Sequence, residues 1–253
     1  MSARALQLPP PYRLIAYETI GSTSDEAKRL ARGGAEEGVI VWAKTQTTGR
    51  GRRGRVWESP AGNLYMSMIL RPGRRAAIAA QLGFVAALGM AAALRQLAPG
   101  AAVRCKWPND LLANGKKIAG ILLETEMVAG ECPDFVVIGI GVNLAASPDD
   151  TPYPATSLAK EGAGNIAPEV VLACFVERFA KWLDAWRKDG FGPIREAWLS
   201  HAIGLGEPIQ VRLERDTLDG RFLDLDDDGA LMLGMASGKR RIAAGEIFPA
   251  SAG

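Results

Sequence analysis

Gly49-Arg50-Gly51-Arg52-Arg53-Gly54-Arg55, running on through Val56-Trp57-Glu58-Ser59-Pro60-Ala61-Gly62, is the stretch on which the choice of fold turns. Its first six residues satisfy G-x-G-x-x-G behind a strand-like run at 38–43, the pattern that opens a dinucleotide-binding domain. That fingerprint needs a helix to begin inside it, so that free N–H groups and the helix dipole meet a pyrophosphate. Here Pro60 and Gly62 stand where the helix body belongs, which argues against the doubly wound fold. A second reading is a solvated basic patch for RNA or targeting, since Arg50, Arg52, Arg53 and Arg55 lie close together. A third is a plain mobile surface loop. The three glycines favour a ligand loop: they let backbone approach a bound group closely, while guanidiniums grip phosphate oxygens in pairs.

Outward from the loop, the 253 residues divide unevenly. Runs at 38–43, 63–70, 103–107, 118–125 and 135–142 are rich in branched or aromatic residues and bounded by Gly, Pro or Asn, so they read as strands of one sheet. Helical spacing marks 24–32, 77–97, 169–186 and 193–203. After Gly204 the pattern becomes alternating and turn-punctuated, with Asp219-Gly220 and Asp228-Gly229 as hairpin turns. The expected architecture is therefore α+β: a mixed β-sheet flanked by helices over residues 1–203, then a small β-barrel over 204–253. At about 45 residues such a barrel is marginal alone and should lean on the main domain.

Composition limits the function classes. With 48% apolar and 23% charged residues the chain is an ordinary globular one, and 30 basic against 28 acidic side chains give a net charge of +2. That is too small for nucleic acid binding over the whole surface, so any cationic site is local. Three scattered cysteines and the single His201 offer no metal-ligand spacing and read as reduced, mostly buried thiols. The apolar run at 76–97, interrupted by Gln81 and Arg95, reads as a buried helix rather than a membrane span, and no signal-peptide core precedes it. A cytoplasmic location without membrane attachment is expected.

Three further segments carry chemistry. Lys106-Trp107-Pro108-Asn109-Asp110 closes a strand in a turn, leaving Lys106 and Asp110 near its C-terminal end. Lys116-Lys117-Ile118-Ala119-Gly120-Ile121-Leu122-Leu123-Glu124 starts a strand on a cation, with Ala119 and Gly120 leaving room for a flat ligand. Ile138-Gly139-Ile140-Gly141-Val142-Asn143-Leu144 is a strand whose glycines again permit close approach. Each alone is a strand with a turn. In this order, together with Gly21-Ser22-Thr23-Ser24-Asp25-Glu26, they closely resemble the biotin–protein ligase family, from about Tyr12 to Leu144 with strong motifs and weakly beyond.

The resemblance implies the catalytic fold shared by biotin and lipoate ligases, with an SH3-like C-terminal barrel. It implies activation of biotin by ATP to biotinyl-5′-adenylate, with Mg2+ on the phosphates, then transfer to a lysine of a carboxylase's biotin carboxyl carrier domain. Carboxylate and α-phosphate are both anionic, so cations must offset their repulsion. By this likeness Lys117, Arg52 and Asp110 are the catalytic positions, Asp110 orienting the incoming lysine or accepting its proton. Ser22, Thr23, Ser24, Gln46, Arg50, Gly51, Arg52, Lys117 and Gly120 would hold biotin. Arg50, Arg52, Arg55, Trp57, Lys117 and Asn143 would hold ATP or the adenylate. Thr23-x-x-Glu26 is also a capping-box pattern, so these hydroxyls have a structural alternative. Family members with a DNA-binding domain carry it ahead of the ligase, and this ligase segment starts near Tyr12, so no specific DNA binding is expected. A homodimer through sheet edges is open.

Two alternatives remain. A lipoate or octanoate ligase would share the fold, but its Arg-Arg-x-x-Gly-Gly-Gly segment is missing from this chain. A non-enzymatic basic-loop RNA-binding protein would interleave aromatics with cations on the barrel strands, where only Phe222 and Phe248 occur.

Overall fold

The computed structural model describes residues 6–126, 132–151 and 153–250. Seven strands form the main sheet: β1 (Arg13–Ile20), β2 (Val39–Gln46), β3 (Leu64–Leu70), β4 (Val103–Lys106), β5 (Asp110–Ala113), β6 (Lys116–Glu126) and β7 (Phe135–Val142). Their order is β1-β2-β3-β7-β6-β5-β4, and only β1 and β2 run parallel, joined by helix α1 (Thr23–Arg32). The sheet is mixed, as expected. β1 escapes the pattern reading because it is a half-exposed edge strand carrying Arg13, Glu18 and Thr19.

Pleating assigns the two faces. Ile40, Trp42, Met66, Met68, Ile138, Ile140 and Ile121 join the main core with α3 (Leu82–Leu97) and α4 (Pro168–Asp189). Val39, Val41, Ile69 and Val137 meet Ala27 and Ala31 of α1 in a smaller core. On that second face Ser67 stands opposite Gly139, and Gly120 opposite Gly141. Three residues without side chains therefore share one patch beside α1, and the sheet is recessed there.

The apolar run at 76–97 is split into α2 (Ala76–Ala79) and α3, with Gln81 between them. Gln81 is buried but satisfied, accepting from Trp186 Nε1 at 2.8 Å and donating to the Asp227 carbonyl at 2.8 Å. The run is long and apolar enough to cross a membrane, yet 72% of its 18-residue apolar stretch is buried in the protein's own core. Helix α5 (Phe191–Ser200) begins two residues before and ends three before the predicted span.

The last five strands, β8 (Pro208–Arg212), β9 (Thr217–Leu225), β10 (Leu231–Met235), β11 (Gly238–Ile242) and β12 (Glu246–Pro249), pair in the order β11-β10-β9-β8-β12. Asp228-Gly229 turns as predicted, with Gly229 at φ +82°. Asp219-Gly220 does not: it lies within β9. A Cβ on Gly220 would sit 2.6 Å from the Gly234 carbonyl, so this glycine serves interstrand approach instead of a turn. The small sheet leans on the large one as expected, Trp107 Nε1 donating to the Gly229 carbonyl at 3.1 Å. All three cysteines are free thiols, and two of them, Cys105 and Cys174, are buried while Cys132 is exposed, in keeping with the expectation of mostly buried thiols.

Candidate active site

A cleft of about 330 Å³ opens over the recessed patch. Ser22, Thr23 and Ser24 at the start of α1, Gln46 at the end of β2, and Arg50, Gly51, Arg52, Arg55 and Trp57 from the following loop all line it. So do Asp110, Lys117, Gly120 and Asn143. Every site residue expected from the sequence thus faces one cavity.

The polar end is built on α1. Ser22, extended at φ −148°, is the N-cap, its Oγ accepting from Asp25 N at 3.4 Å. The cap is one residue earlier than Thr23-x-x-Glu26 suggests, because Glu26 is taken by Tyr17 and Arg29. That releases Thr23, whose N–H donates to Gln46 Oε1 at 2.8 Å and whose hydroxyl lies 2.8 Å from Ser67 Oγ. Ser24 Oγ is 3.0 Å from the same Ser67, under a roof that only a glycine at 139 permits, since a Cβ there would stand 2.7 Å from it. The other end of the Gln46 amide donates to Ser59 Oγ at 3.1 Å, and Ser59 donates to the Trp57 carbonyl at 2.9 Å. Buried hydroxyls and an amide in one chain suit a ligand that both donates and accepts.

Trp57 lies across Gly120 and Gly141. A Cβ on Gly141 would be 2.4 Å from the indole, and one on Gly120 2.9 Å away. The paired glycines are therefore a slot for a flat group, filled here by the loop's own tryptophan, whose indole N–H is buried with no hydrogen-bond partner among the described residues. Lys117 Nζ sits 5.5 Å above that ring and 2.6 Å from Asp110 Oδ1.

Three loop arginines are held differently. Arg50 grips Asp25 with both Nη atoms, at 2.8 Å for the first contact; this pair holds the Asp25 carboxyl below its ordinary range and raises Arg50. Arg55 bonds Glu246 of β12 at 2.6 Å. Arg52 has no carboxylate within ion-pair distance among the described residues and donates to Asn109 Oδ1 at 3.1 Å. Burial, then the neighbouring Arg53 charge, pulls its pKa down. An unpaired, partly desolvated cation is expensive to maintain and favours an anion beside it. Asn143, 3% exposed, donates its side-chain amide to the Thr156 carbonyl at 3.1 Å, tying the 154–156 segment to the cleft wall.

Residues that sequence reading left unassigned also line the cleft: Lys106, Asn109, Tyr153, Glu246 and Phe248. Lys106 and Asn109 stand within a quoted motif. Glu246 and Phe248 carry no local signal, because only the packing of the last strand brings them there. No cluster of three His, Cys, Asp or Glu that could hold a metal exists among the described residues. Of the cleft carboxylates, Asp110 is ion-paired with Lys117 and Lys106, and Glu246 with Arg55.

Comparison with known proteins places this geometry. The fold overlays a biotin protein ligase from Aquifex aeolicus solved in complex with biotin and ATP, with a TM-score of 0.80 at 28% identity, covering 93% of this chain and 97% of that one. Fold and cleft together define an enzyme of the biotin-ligase class. A biotin–[acetyl-CoA-carboxylase] ligase of Paracoccus denitrificans is 44% identical over 90% of this chain and 96% of its own length. The bifunctional ligase/repressor BirA of Bacillus subtilis is 38% identical over 92% of this chain and 73% of its own. The chain belongs to the biotin/lipoate A/B protein ligase family, whose model matches residues 8–200, while residues 204–248 match the biotin protein ligase C terminal domain.

Proposed function

We propose that the chain activates biotin with ATP to biotinyl-5′-AMP and passes the biotinyl group to a lysine of a biotin carboxyl carrier domain, in the cytoplasm. The observation that carries this is one cleft in which a hydroxyl and amide set (Ser22, Thr23, Ser24, Gln46) adjoins a glycine-floored slot and the cations Arg50, Arg52 and Lys117. The hydroxyl set suits the ureido ring, which has one carbonyl and two N–H groups to satisfy in a dry pocket.

In the first step a biotin carboxylate oxygen bonds to the α-phosphorus while the bond to the bridging oxygen breaks, and pyrophosphate leaves with the electron pair. Lys117 and Arg52 offset the repulsion between the two anions and the charge on the leaving group. In the second step the carrier lysine's neutral amine attacks the anhydride carbonyl, a C–N bond forms, the C–O bond breaks and AMP leaves. Asp110, 11% exposed at its side chain, orients that amine or accepts its proton. The loop 49–55 retains the adenylate between steps, with Trp57 shielding it. We read residues 1–203 as the catalytic domain and 204–253 as a second domain that closes the cleft through Glu246 and Phe248, consistent with the separate family matches. Pairing of copies through the β1 edge would leave this cleft intact.

Purified protein incubated with ATP, Mg2+ and either biotin or lipoate, followed for pyrophosphate release and carrier labelling, tests the reading. Biotin-dependent labelling is expected; labelling with lipoate alone refutes it. Lys117→Ala should lose adenylate formation with an unchanged melting curve.

A further inference from the structure

Lys106 is 3% exposed, and no role has been given to it above. In the β4–β5 hairpin that Trp107-Pro108-Asn109 closes, Lys106 is paired directly with Asp110, so both side chains leave the same face. Its ammonium lies 3.6 Å from Asp110 Oδ2, while Lys117 holds Oδ1 at 2.6 Å. On its other side the ammonium faces the rings of Tyr153, 4.4 Å from the centroid, and Phe248, 5.3 Å away. Those two rings are themselves packed at 6.0 Å and come from separate segments, one following β7 and one on the last strand of the small sheet. A lysine in this position costs desolvation, which pulls its pKa down, and the negative Asp110 opposes that shift. A merely structural residue there would be apolar, filling the gap beneath the aromatic pair without that cost.

We propose that Lys106 is a positioning residue for the transfer step: held by the two aromatic faces, it fixes the second oxygen of Asp110 so that the carboxylate presents a set geometry to the incoming lysine amine. The inference rests on the reading of Asp110 given above. It assigns the small sheet a part in the chemistry, because Phe248 forms half of the seat that holds Lys106. Asp110 is thus gripped at both oxygens by cations of different reach, one from its own hairpin and one from β6. Losing Lys106 leaves only the Lys117 contact on Oδ1, about which the carboxylate can pivot, and misplacement by about 1 Å costs a reaction on the order of 100-fold.

The test uses the full chain with a biotin carboxyl carrier domain and separates the half-reactions. Biotin-dependent pyrophosphate release without carrier reads adenylate formation, and mixing preformed enzyme–adenylate with saturating carrier reads transfer. Lys106→Met, which conserves volume, should slow transfer by about 10- to 100-fold in rate at saturating carrier, with a much smaller loss in adenylate formation. Adding Lys106→Met to Asp110→Asn should slow transfer little further, since the group being positioned is already gone. Multiplying effects in the double variant, or equal losses in both half-reactions, would overturn the proposal. Should Lys106→Met lose its cooperative melting transition, Phe248→Leu takes its place: a severalfold loss of transfer, suppressed in the Asp110→Asn background, supports the seat, and parent-like transfer overturns it. Parent protein that releases no pyrophosphate with biotin instead refutes the underlying function.

Discussion

Replacing Gly141 with Ala tests the loop's anchor without removing a polar group. The added methyl would lie 2.4, 2.5 and 2.7 Å from three indole atoms of Trp57, where non-bonded atoms normally sit about 3.5–4.0 Å apart. The indole must therefore move by roughly 1 Å or more. Strand β7 has little freedom to give, being laddered on both sides to β3 and β6, whereas Trp57 belongs to a loop. Overpacking of this kind costs about 1–3 kcal/mol, and here the cost falls on loop closure more than on the fold. That range corresponds to about a 5- to 150-fold shift between closed and open loop. The melting temperature should move little, while adenylate escape accelerates by that factor, followed as loss of radiolabelled adenylate after dilution and as labelling of bystander lysines. Gly100→Ala, where a Cβ meets nothing within 4 Å, is the control. Adenylate release from Gly141→Ala at the parent rate would refute the argument that Trp57 seated on the glycine pair holds the loop.

Three other outcomes follow from the same geometry. Arg52→Gly removes the cation bound to Asn109, and losing charge-assisted hydrogen bonds of about 1.5–3 kcal/mol should raise adenylate release on the order of 10- to 100-fold, read as indiscriminate lysine labelling in a protein mixture. Trp107→Phe deletes the buried donor to the Gly229 carbonyl and should cost about 1–3 kcal/mol of stability, measured by denaturant unfolding, with the orphaned carbonyl as the cause. At neutral pH a thiol reagent should modify Cys132 rapidly and Cys105 only on unfolding, because burial pushes the Cys105 thiol up to about 12; rapid reaction of two thiols would contradict this packing.

The recessed floor of the cleft was legible early, since Gly120, Gly139 and Gly141 fall at alternate positions of strands read from composition alone, and pleating sends them to one face. The loop's cations were legible for the same reason: charge and glycine act locally. Other features were not. The dipeptide Asp219-Gly220 has the chemistry of a hairpin turn, but contact with Gly234 on the next strand overrides it. Glu246 and Phe248 reach the site from more than 90 residues beyond its other lining residues, where nothing local distinguishes them from ordinary strand residues. The N-cap slipped by one residue because Glu26, which the pattern read as a cap partner, is drawn off by Tyr17 and Arg29.

The pairing of Arg50 with Asp25 has a consequence for selectivity among anions. An arriving phosphate that offers only charge must displace a carboxylate already bound at both nitrogens, and so trades one ion pair for another with little net gain. Free phosphate or pyrophosphate at cellular concentrations should then occupy the loop weakly. On the proposed function, a nucleotide that also places a flat base, or biotin with its ureido group on Gln46, has a surplus with which to displace Asp25. The carboxylate acts as a resident competitor, setting a threshold that common anions fail to cross and that the true ligands, by combining several contacts, do.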